Sequence, residues 1–304
     1  MTSLFASLRI WADMVKLSHS VFALPFALMS AFLAGRHLEG HGRPYWGQLG
    51  LIVACMVAGR SVAMTFNRIV DAEIDARNPR TAQRPIPSGR LGRLASFVML
   101  VLSAGTFGAA CLGFHFAYGN DWPILLSGPV LVFLCGYSYT KRFTKWSHFY
   151  LGLALALSPA AAWLAVHPGS FGASTVVLMV AVTCWVGGFD VIYSCQDIEI
   201  DRRDGLFSLP SRIGPARALW MARTAHGFTV IQLVLLGVLE RLGVVYAGGV
   251  VGVAVLLFAE HRLVKPDDYR RVNVAFFTLN GLVSLVLAGA SIADIILRPR
   301  IAAG

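Results

Sequence analysis

Charge is scarce in this chain. Asp, Glu, Lys and Arg make up 14% of its 304 residues, hydrophobic residues make up 56%, and the mean hydropathy is +0.65. Soluble domains carry about 25% charged residues, so this composition excludes both an ordinary water-soluble enzyme and a disordered polyelectrolyte. Cysteine is scarce too. Cys55, Cys111, Cys135, Cys184 and Cys195 all fall inside apolar segments with no CxxC spacing, which argues against a disulfide framework, a zinc site or thiol redox chemistry. Acidic side chains are the rarest charged class, 16 against 26 Lys and Arg, for a net charge of +10. Where those few acids stand therefore carries most of the information.

What the chain has in abundance is apolar sequence of bilayer-spanning length, about 20 residues per run. Such runs lie near 20 to 35, 48 to 66, 94 to 117, 123 to 139, 149 to 166, 173 to 196, 218 to 239, 243 to 260 and 273 to 297. The expectation is an all-α, multi-pass membrane protein of nine transmembrane helices, folded as one domain over 1–304. The first run is not read as a cleaved secretory signal, because Lys16 and His19 stand close before it and many spans follow. If the N-terminus is cytoplasmic, 19 Lys and Arg fall on the inner side and five on the other (Arg36, Arg43, Arg241, Arg298 and Arg300). That bias sets the orientation as N-terminus inside. It also accounts for the basic surplus by topology and contact with the lipid bilayer, so nucleic acid is not expected as a partner, and no protein partner is evident.

One stretch breaks the apolar pattern. "NRIVDAEIDARNPRTAQRP", 67 to 85, ends the second run with Asn67, Asp71 and Asp75 four residues apart. A step of four advances a helix by about 40° beyond a full turn, so the three form a drifting stripe about 12 Å long. Asn78-Pro79 disfavours helix continuation, which places both aspartates near a helix C-terminus, where the backbone dipole is already negative. A local rule broken in this way marks a functional site, and a divalent cation is the simplest compensation.

The arrangement recurs. "FDVIYSCQDIEIDRRDG", 189 to 205, ends the sixth run and carries Asp190, Asp197 and Asp201 at steps of seven and four. Asp190 falls at hydrocarbon depth, where an ionisable group is costly enough to point to function. Four spans separate the two stripes, so both acidic helix ends emerge on the cytoplasmic side. This suggests a distant duplication of a four-helix unit, about 10–145 and 146–262, plus a final helix. A lone acid near a helix end, such as Glu73, Glu199 or Asp204, is ordinarily a solvated surface residue; two recurring stripes are not explained that way.

Basic residues surround both stripes: Arg60, Arg77, Arg80 and Arg84 near the first, Lys141, Arg142 and Lys145 in "YSYTKRFTKW" between them, and Arg202, Arg203 and Arg212 after the second. Carboxylates and cations at the mouth of an apolar bundle suit a ligand with a multiply charged anionic head and a hydrocarbon tail, such as an isoprenyl diphosphate with magnesium. Taken singly, each loop arginine reads as a topology residue. Arg60 differs, because its apolar segment demands a partner. His19 and His148, near helix ends, read as interfacial, and most of the 19 Phe and seven Trp read as packing or lipid-facing residues.

At these residues the chain resembles the UbiA superfamily of intramembrane prenyltransferases. Asn67, Asp71 and Asp75 match its NxxxDxxxD signature, followed by "RPIPSG" at 84 to 89; Asp197 and Asp201, preceded by Tyr193, match its second; and "YSYTKRFT", 137 to 144, is similar to its tyrosine-and-basic segment. "KLSHSVFALPFALMSAFLAG" and "QDIEIDRRDGLFSLPSRIG" look most like the 4-hydroxybenzoate polyprenyltransferase branch, including members working in menaquinone synthesis through the futalosine route. The resemblance implies Mg2+-dependent transfer of a polyprenyl group from an isoprenyl diphosphate to an aromatic acceptor, 4-hydroxybenzoate-like or naphthoate-like, in ubiquinone or menaquinone biosynthesis. It implies metal ligation by Asp71, Asp75, Asp197 and Asp201, and diphosphate binding by Asn67, Arg60, Arg80, Lys141 and Arg142. Asp190 would orient the acceptor or receive a proton, and Tyr193 would stabilise the allylic cation or bind phosphate. The expected setting is a bacterial inner membrane with the active site facing the cytoplasm. The alternatives are another prenyl transfer of the haem O or chlorophyll synthase kind, a lipid alcohol phosphotransferase, whose single compact acidic signature fits less well, or a transporter. A transporter would spread its charges through the membrane depth, whereas here only Arg60, Asp190 and Arg223 lie deep.

Overall fold

The computed structural model describes residues 4–15 and 21–298. Lys16, His19 and Arg300 lie outside the described residues. The elements in chain order are α1 (Leu4–Val15), α2 (Leu24–Gly35), α3 (Trp46–Val70), α4 (Ala72–Arg77), α5 (Arg93–Tyr118), α6 (Trp122–Thr140), α7 (Ser147–Val166), α8 (Ala173–Ser194), α9 (Ile198–Arg203), α10 (Leu209–Ile213), α11 (Pro215–Leu239), α12 (Val244–Leu263) and α13 (Asn280–Leu297). Among the described residues there is no strand.

Among the described residues, eight of the nine expected spans are helices long and apolar enough to cross a bilayer. One of them runs from Ala173 to Arg203, through α8 and a 3-10 turn into α9, and another takes in Val274–Leu297. The chain is a multi-pass membrane protein. The first expected span differs: α2 has 12 residues, about 18 Å of helix against about 30 Å of hydrocarbon. It begins late, at Leu24 with Pro25 in its first turn, and closes at the expected Gly35, where a Cβ would stand 2.5 Å from Pro44.

The helices group into two compact units, Met1–Ser20 with Gly50–Tyr139, and Val21–Leu49 with Thr140–Gly304. In the first, Ala58, Phe107 and Cys111 pack with Cys55 and Leu131, and Met14, Ala72, Ile86 and Leu91 pack with Trp11 and Ile69. Trp11 Nε1 donates to Thr65 Oγ1 at 2.9 Å, tying α1 to α3. The Cys55 and Cys111 sulfurs lie 3.8 Å apart, and all five cysteines are free thiols.

In the second unit α8 packs against both α7 and α11, α2 against α7 and α13, and α12 against α11 and α13. The α7–α8 approach depends on Gly152, where a Cβ would stand 2.3 Å from the Thr183 carbonyl oxygen. Small residues allow such backbone proximity where lipid provides no hydrophobic drive for helix pairing. Behind this pair runs a buried polar network. Trp185 Nε1 donates to Asn280 Oδ1 at 2.7 Å, Asn280 Nδ2 donates to Glu260 Oε1 at 2.8 Å, and Glu260 Oε2 lies 3.6 Å from His226 Nδ1. His226 Nε2 returns to the Trp185 carbonyl at 3.1 Å. Asn280 also donates to the Ala275 carbonyl at 3.0 Å, supporting a π-helical turn over Val274–Leu279. The start of α12 is capped from α13, where the Asp294 carboxylate accepts the Gly243 and Tyr246 amides at 2.7 and 3.4 Å.

Replacing Gly152 with Val should separate α7 from α8 and cost about 1–3 kcal/mol through overpacking. Thermal unfolding of the purified variant in detergent checks this, and an unchanged midpoint would remove Gly152 as the contact that sets the approach.

Candidate active site

The sequence-predicted site residues divide between the two units. Arg60, Asn67, Asp71, Asp75 and Arg80 belong to the first; Lys141, Arg142, Asp190, Tyr193, Asp197 and Asp201 belong to the second.

In the first unit α3 ends at Val70, and Asp71 forms a kink with φ −91 and ψ 5. Helical hydrogen bonds bridge that kink, Asp71 N to the Asn67 carbonyl at 2.9 Å and Asp75 N to the Asp71 carbonyl at 2.7 Å. Asn78 then takes an extended conformation ahead of Pro79, and α4 stops at Arg77. Asn67 Nδ2 donates to Asp71 Oδ2 at 2.7 Å and lies 3.4 Å from Ser138 Oγ. Asp75 is buried and turned to Arg84, whose Nη1 lies 2.7 and 2.8 Å from its two oxygens. Arg68, unremarked in the sequence reading, links the pair: its Nη1 donates to Asn67 Oδ1 at 2.9 Å and lies 3.9 Å from Asp75 Oδ2. Its helical offsets to Asp71 and Asp75, three and seven, were the signal that could have singled it out. Arg60 is half-buried two turns before Asn67 on the same face of α3, about 10 Å along the axis. Arg80 is exposed, and its backbone amide donates to Asn78 Oδ1 at 2.9 Å.

In the second unit the 3-10 turn Cys195–Asp197 joins α8 to α9 and changes the helical phase between Asp190 and the later pair. Asp197 and Asp201 are both buried. Asp201 accepts a hydrogen bond from the Ser208 side chain and lies within electrostatic reach of Lys141, Asp197 and His148. The loop carrying Lys141 is tied to this end by its carbonyl, which accepts the Phe207 amide at 2.7 Å. Arg142 is exposed. The three later arginines are engaged nearby: Arg202 Nε donates to the Ser211 carbonyl, Arg203 pairs with Asp204, and Arg212 stacks over Phe207 at 3.9 Å. The Tyr193 ring lies 4.2 Å from that of Phe276, which the π-helical turn carries.

Asp190 departs from the stripe expected for it. Its Oδ2 lies 2.6 Å from His148 Nδ1, and the His148 side chain is wholly buried. His148 is therefore not interfacial. Gly152, one turn further along α7, marks a close approach of that helix to α8, and spacing along one helix does not reveal a partner on the next.

The acidic groups offer oxygen donors, two carboxylates and a carboxamide in the first unit and two carboxylates in the second. Among the described residues no cluster of three or more His, Cys, Asp or Glu is placed to hold a metal ion unaided. Such donor pairs fit magnesium, which is bound through one or two carboxylates and completes its shell with water and phosphate oxygens. They do not fit a closed zinc site.

This combination, a polytopic α-helical membrane protein with two acidic helix ends, is that of an intramembrane prenyltransferase. Residues 23–282 match the UbiA prenyltransferase family, and the chain belongs to that family. It is 28% identical to a 4-hydroxybenzoate octaprenyltransferase of Tolumonas auensis over 84% of this chain and 87% of that one. It is similar in structure to the apo form of a UbiA homolog from Aeropyrum pernix K1, with a TM-score of 0.81 and 27% identity over 92% of this chain and 98% of that one. A UbiA homolog from Archaeoglobus fulgidus, bound to GPP and Mg2+, shares the fold at a TM-score of 0.70 and 15% identity, over 95% of this chain and all of that one.

Arg84→Met should leave Asp75 facing Arg68 at 3.9 Å and destabilise the α4 region by about 1–3 kcal/mol. Thermal unfolding in detergent measures it, and a loss below about 0.5 kcal/mol would make the pair an exposed, weak one.

Proposed function

We propose that the protein transfers a polyprenyl group from an isoprenyl diphosphate to an aromatic acceptor, 4-hydroxybenzoate-like or naphthoate-like, in ubiquinone or menaquinone biosynthesis. The observation that carries this reading is the pair of acidic helix ends, each holding two signature aspartates among basic and hydroxyl side chains. The name of the Tolumonas relative and the ligands of the Archaeoglobus structure support it.

On this reading both acidic ends serve one donor diphosphate. Asp71, Asp75, Asp197 and Asp201 would hold magnesium, which supplies positive charge to neutralise the leaving diphosphate. Asn67 positions a phosphate oxygen, and Arg60, Arg80, Lys141 and Arg142 meet the charge that develops as the carbon–oxygen bond breaks. Tyr193, held against Phe276, stabilises the allylic cation by its ring or donates to phosphate. The acceptor's ring carbon provides the electron pair for the new carbon–carbon bond, and loss of the ring proton restores aromaticity. Asp190 orients the acceptor or receives that proton. The apolar helices exclude the water that would trap the cation. We place the N-terminus and the site on the cytoplasmic side of a bacterial inner membrane, with α2 as the ninth membrane element and a duplicated four-helix unit, 10–145 and 146–262, as the origin of the two acidic ends.

Asp71→Asn and Asp197→Asn should each abolish magnesium-dependent release of diphosphate from geranyl diphosphate while leaving the unfolding midpoint in detergent unchanged. Normal turnover by both purified variants would refute the assigned roles. Cysteines placed at Arg80 and Arg203 should label from the cytoplasmic side in intact cells, and labelling of either from outside would break the proposed orientation.

A further inference from the structure

The His148–Asp190 pair has a determined polarity. The Leu209 backbone amide donates to His148 Nε2 at 3.2 Å. A backbone N–H only donates, so Nε2 presents its lone pair and the ring proton resides on Nδ1. Nδ1–H therefore donates to Asp190 Oδ2 at 2.6 Å. Both imidazole nitrogens are used, and the ring has no exposed surface. Asp190 is different: its side chain is 13% exposed, and among the described residues His148 is its one hydrogen-bond partner, through Oδ2 alone. Of the two groups, only the carboxylate has exposed surface, and among the described residues its second oxygen has no hydrogen-bond partner.

Leu209 follows Ser208, whose side chain bonds to Asp201, and opens α10 under a reciprocal Ser208–Ser211 cap. The amide that fixes the imidazole is thus part of the same backbone segment that supports the second acidic end. His148 comes from α7, Asp190 from α8 and Leu209 from α10, so three elements converge on one hydrogen-bond chain.

We infer that His148 is a positioning residue for the acceptor: it orients the Asp190 carboxylate through Nδ1–H so that Oδ1 accepts a hydrogen bond from a hydroxyl group on the aromatic substrate. A hydroxyl donor is the matching chemistry, because a carboxylate oxygen accepts and cannot bind another anion unaided. The bond raises electron density on the hydroxylated ring, where the new carbon–carbon bond forms. This inference rests on the proposed reading of Asp190 as an acceptor-orienting group. It adds the residue that fixes it and the functional group it recognises.

The full-length purified protein would be assayed with magnesium, geranyl diphosphate and 4-hydroxybenzoate, in wild-type form and as Asp190→Asn, His148→Phe and His148→Asn variants. His148→Phe keeps a buried ring but removes the donor, and should lower kcat/KM for the acceptor by about 10–100-fold with the KM for geranyl diphosphate unchanged. His148→Asn, whose amide nitrogen stands near the place of Nδ1, should recover most of the loss. Adding His148→Phe to Asp190→Asn should cost nothing more. Nitrogen-15 NMR of histidine-labelled wild type should show a protonated Nδ1 and an unprotonated Nε2 at His148, a readout that does not depend on the variants folding. Unchanged acceptor kinetics in His148→Phe, no recovery in His148→Asn, or the opposite tautomer would overturn the inference. If Asp190→Asn itself leaves acceptor kinetics intact, the proposed role of Asp190 falls as well; if it impairs them while His148→Phe does not, only the role of His148 falls.

Discussion

An ionised carboxylate at the end of an apolar helix survives only where hydrogen-bond donors or opposite charge replace the water it has lost. Four of the acidic groups central to this protein are arranged around that requirement. Asp75 is held by Arg84 and faces Arg68, Asp71 by the Asn67 carboxamide, Asp201 by Ser208, and Asp190 by a buried imidazole. The compensating donors come from the same helix, from the loop that follows, or from a neighbouring helix. Asp75 is held by an arginine of the following loop, whereas Asp190 is held by an imidazole from a neighbouring helix.

The helix ends show why the two acidic clusters are built differently despite similar spacing. The first is a kinked α-helix: the backbone bonds persist through Asp71, so Asn67 and Asp71 remain one turn apart and bond directly. The second passes through a 3-10 turn at Cys195–Asp197, which tightens the winding and separates the direction of Asp190 from that of Asp197 and Asp201. Tyr193 lies just before that turn, with its ring against Phe276. A three-residue change of winding thus leaves Asp190 in the interior pair with His148 and Asp201 with Ser208 and Lys141.

Much of this was legible in the sequence. Long apolar runs are a strong signal because a bilayer sets their length, and eight of the nine runs became full-length helices. The exception, α2, ends at Gly35 as the run does but begins only at Leu24, with Pro25 in its first turn. The acidic stripes were legible because charges are rare enough in this chain to stand out. Their partners were less so. Arg68 reads as one more basic residue beside the membrane until its guanidinium is seen between Asn67 and Asp75. His148 reads as an interfacial histidine because its partners, Asp190 and the Leu209 amide, stand on other elements. Helical periodicity gives the face of a residue but not the neighbour opposite it.

The cap at the start of α12 has a consequence for how the chain assembles. The Gly243 and Tyr246 amides are satisfied by Asp294, 51 and 48 residues further along. Helix N-termini leave several N–H groups without intrahelical partners, so until the C-terminal helix stands beside α12 these two amides lack their carboxylate cap. The start of α12 thus owes its cap to the last helix of the chain, and the two ends are tied together in the folded protein.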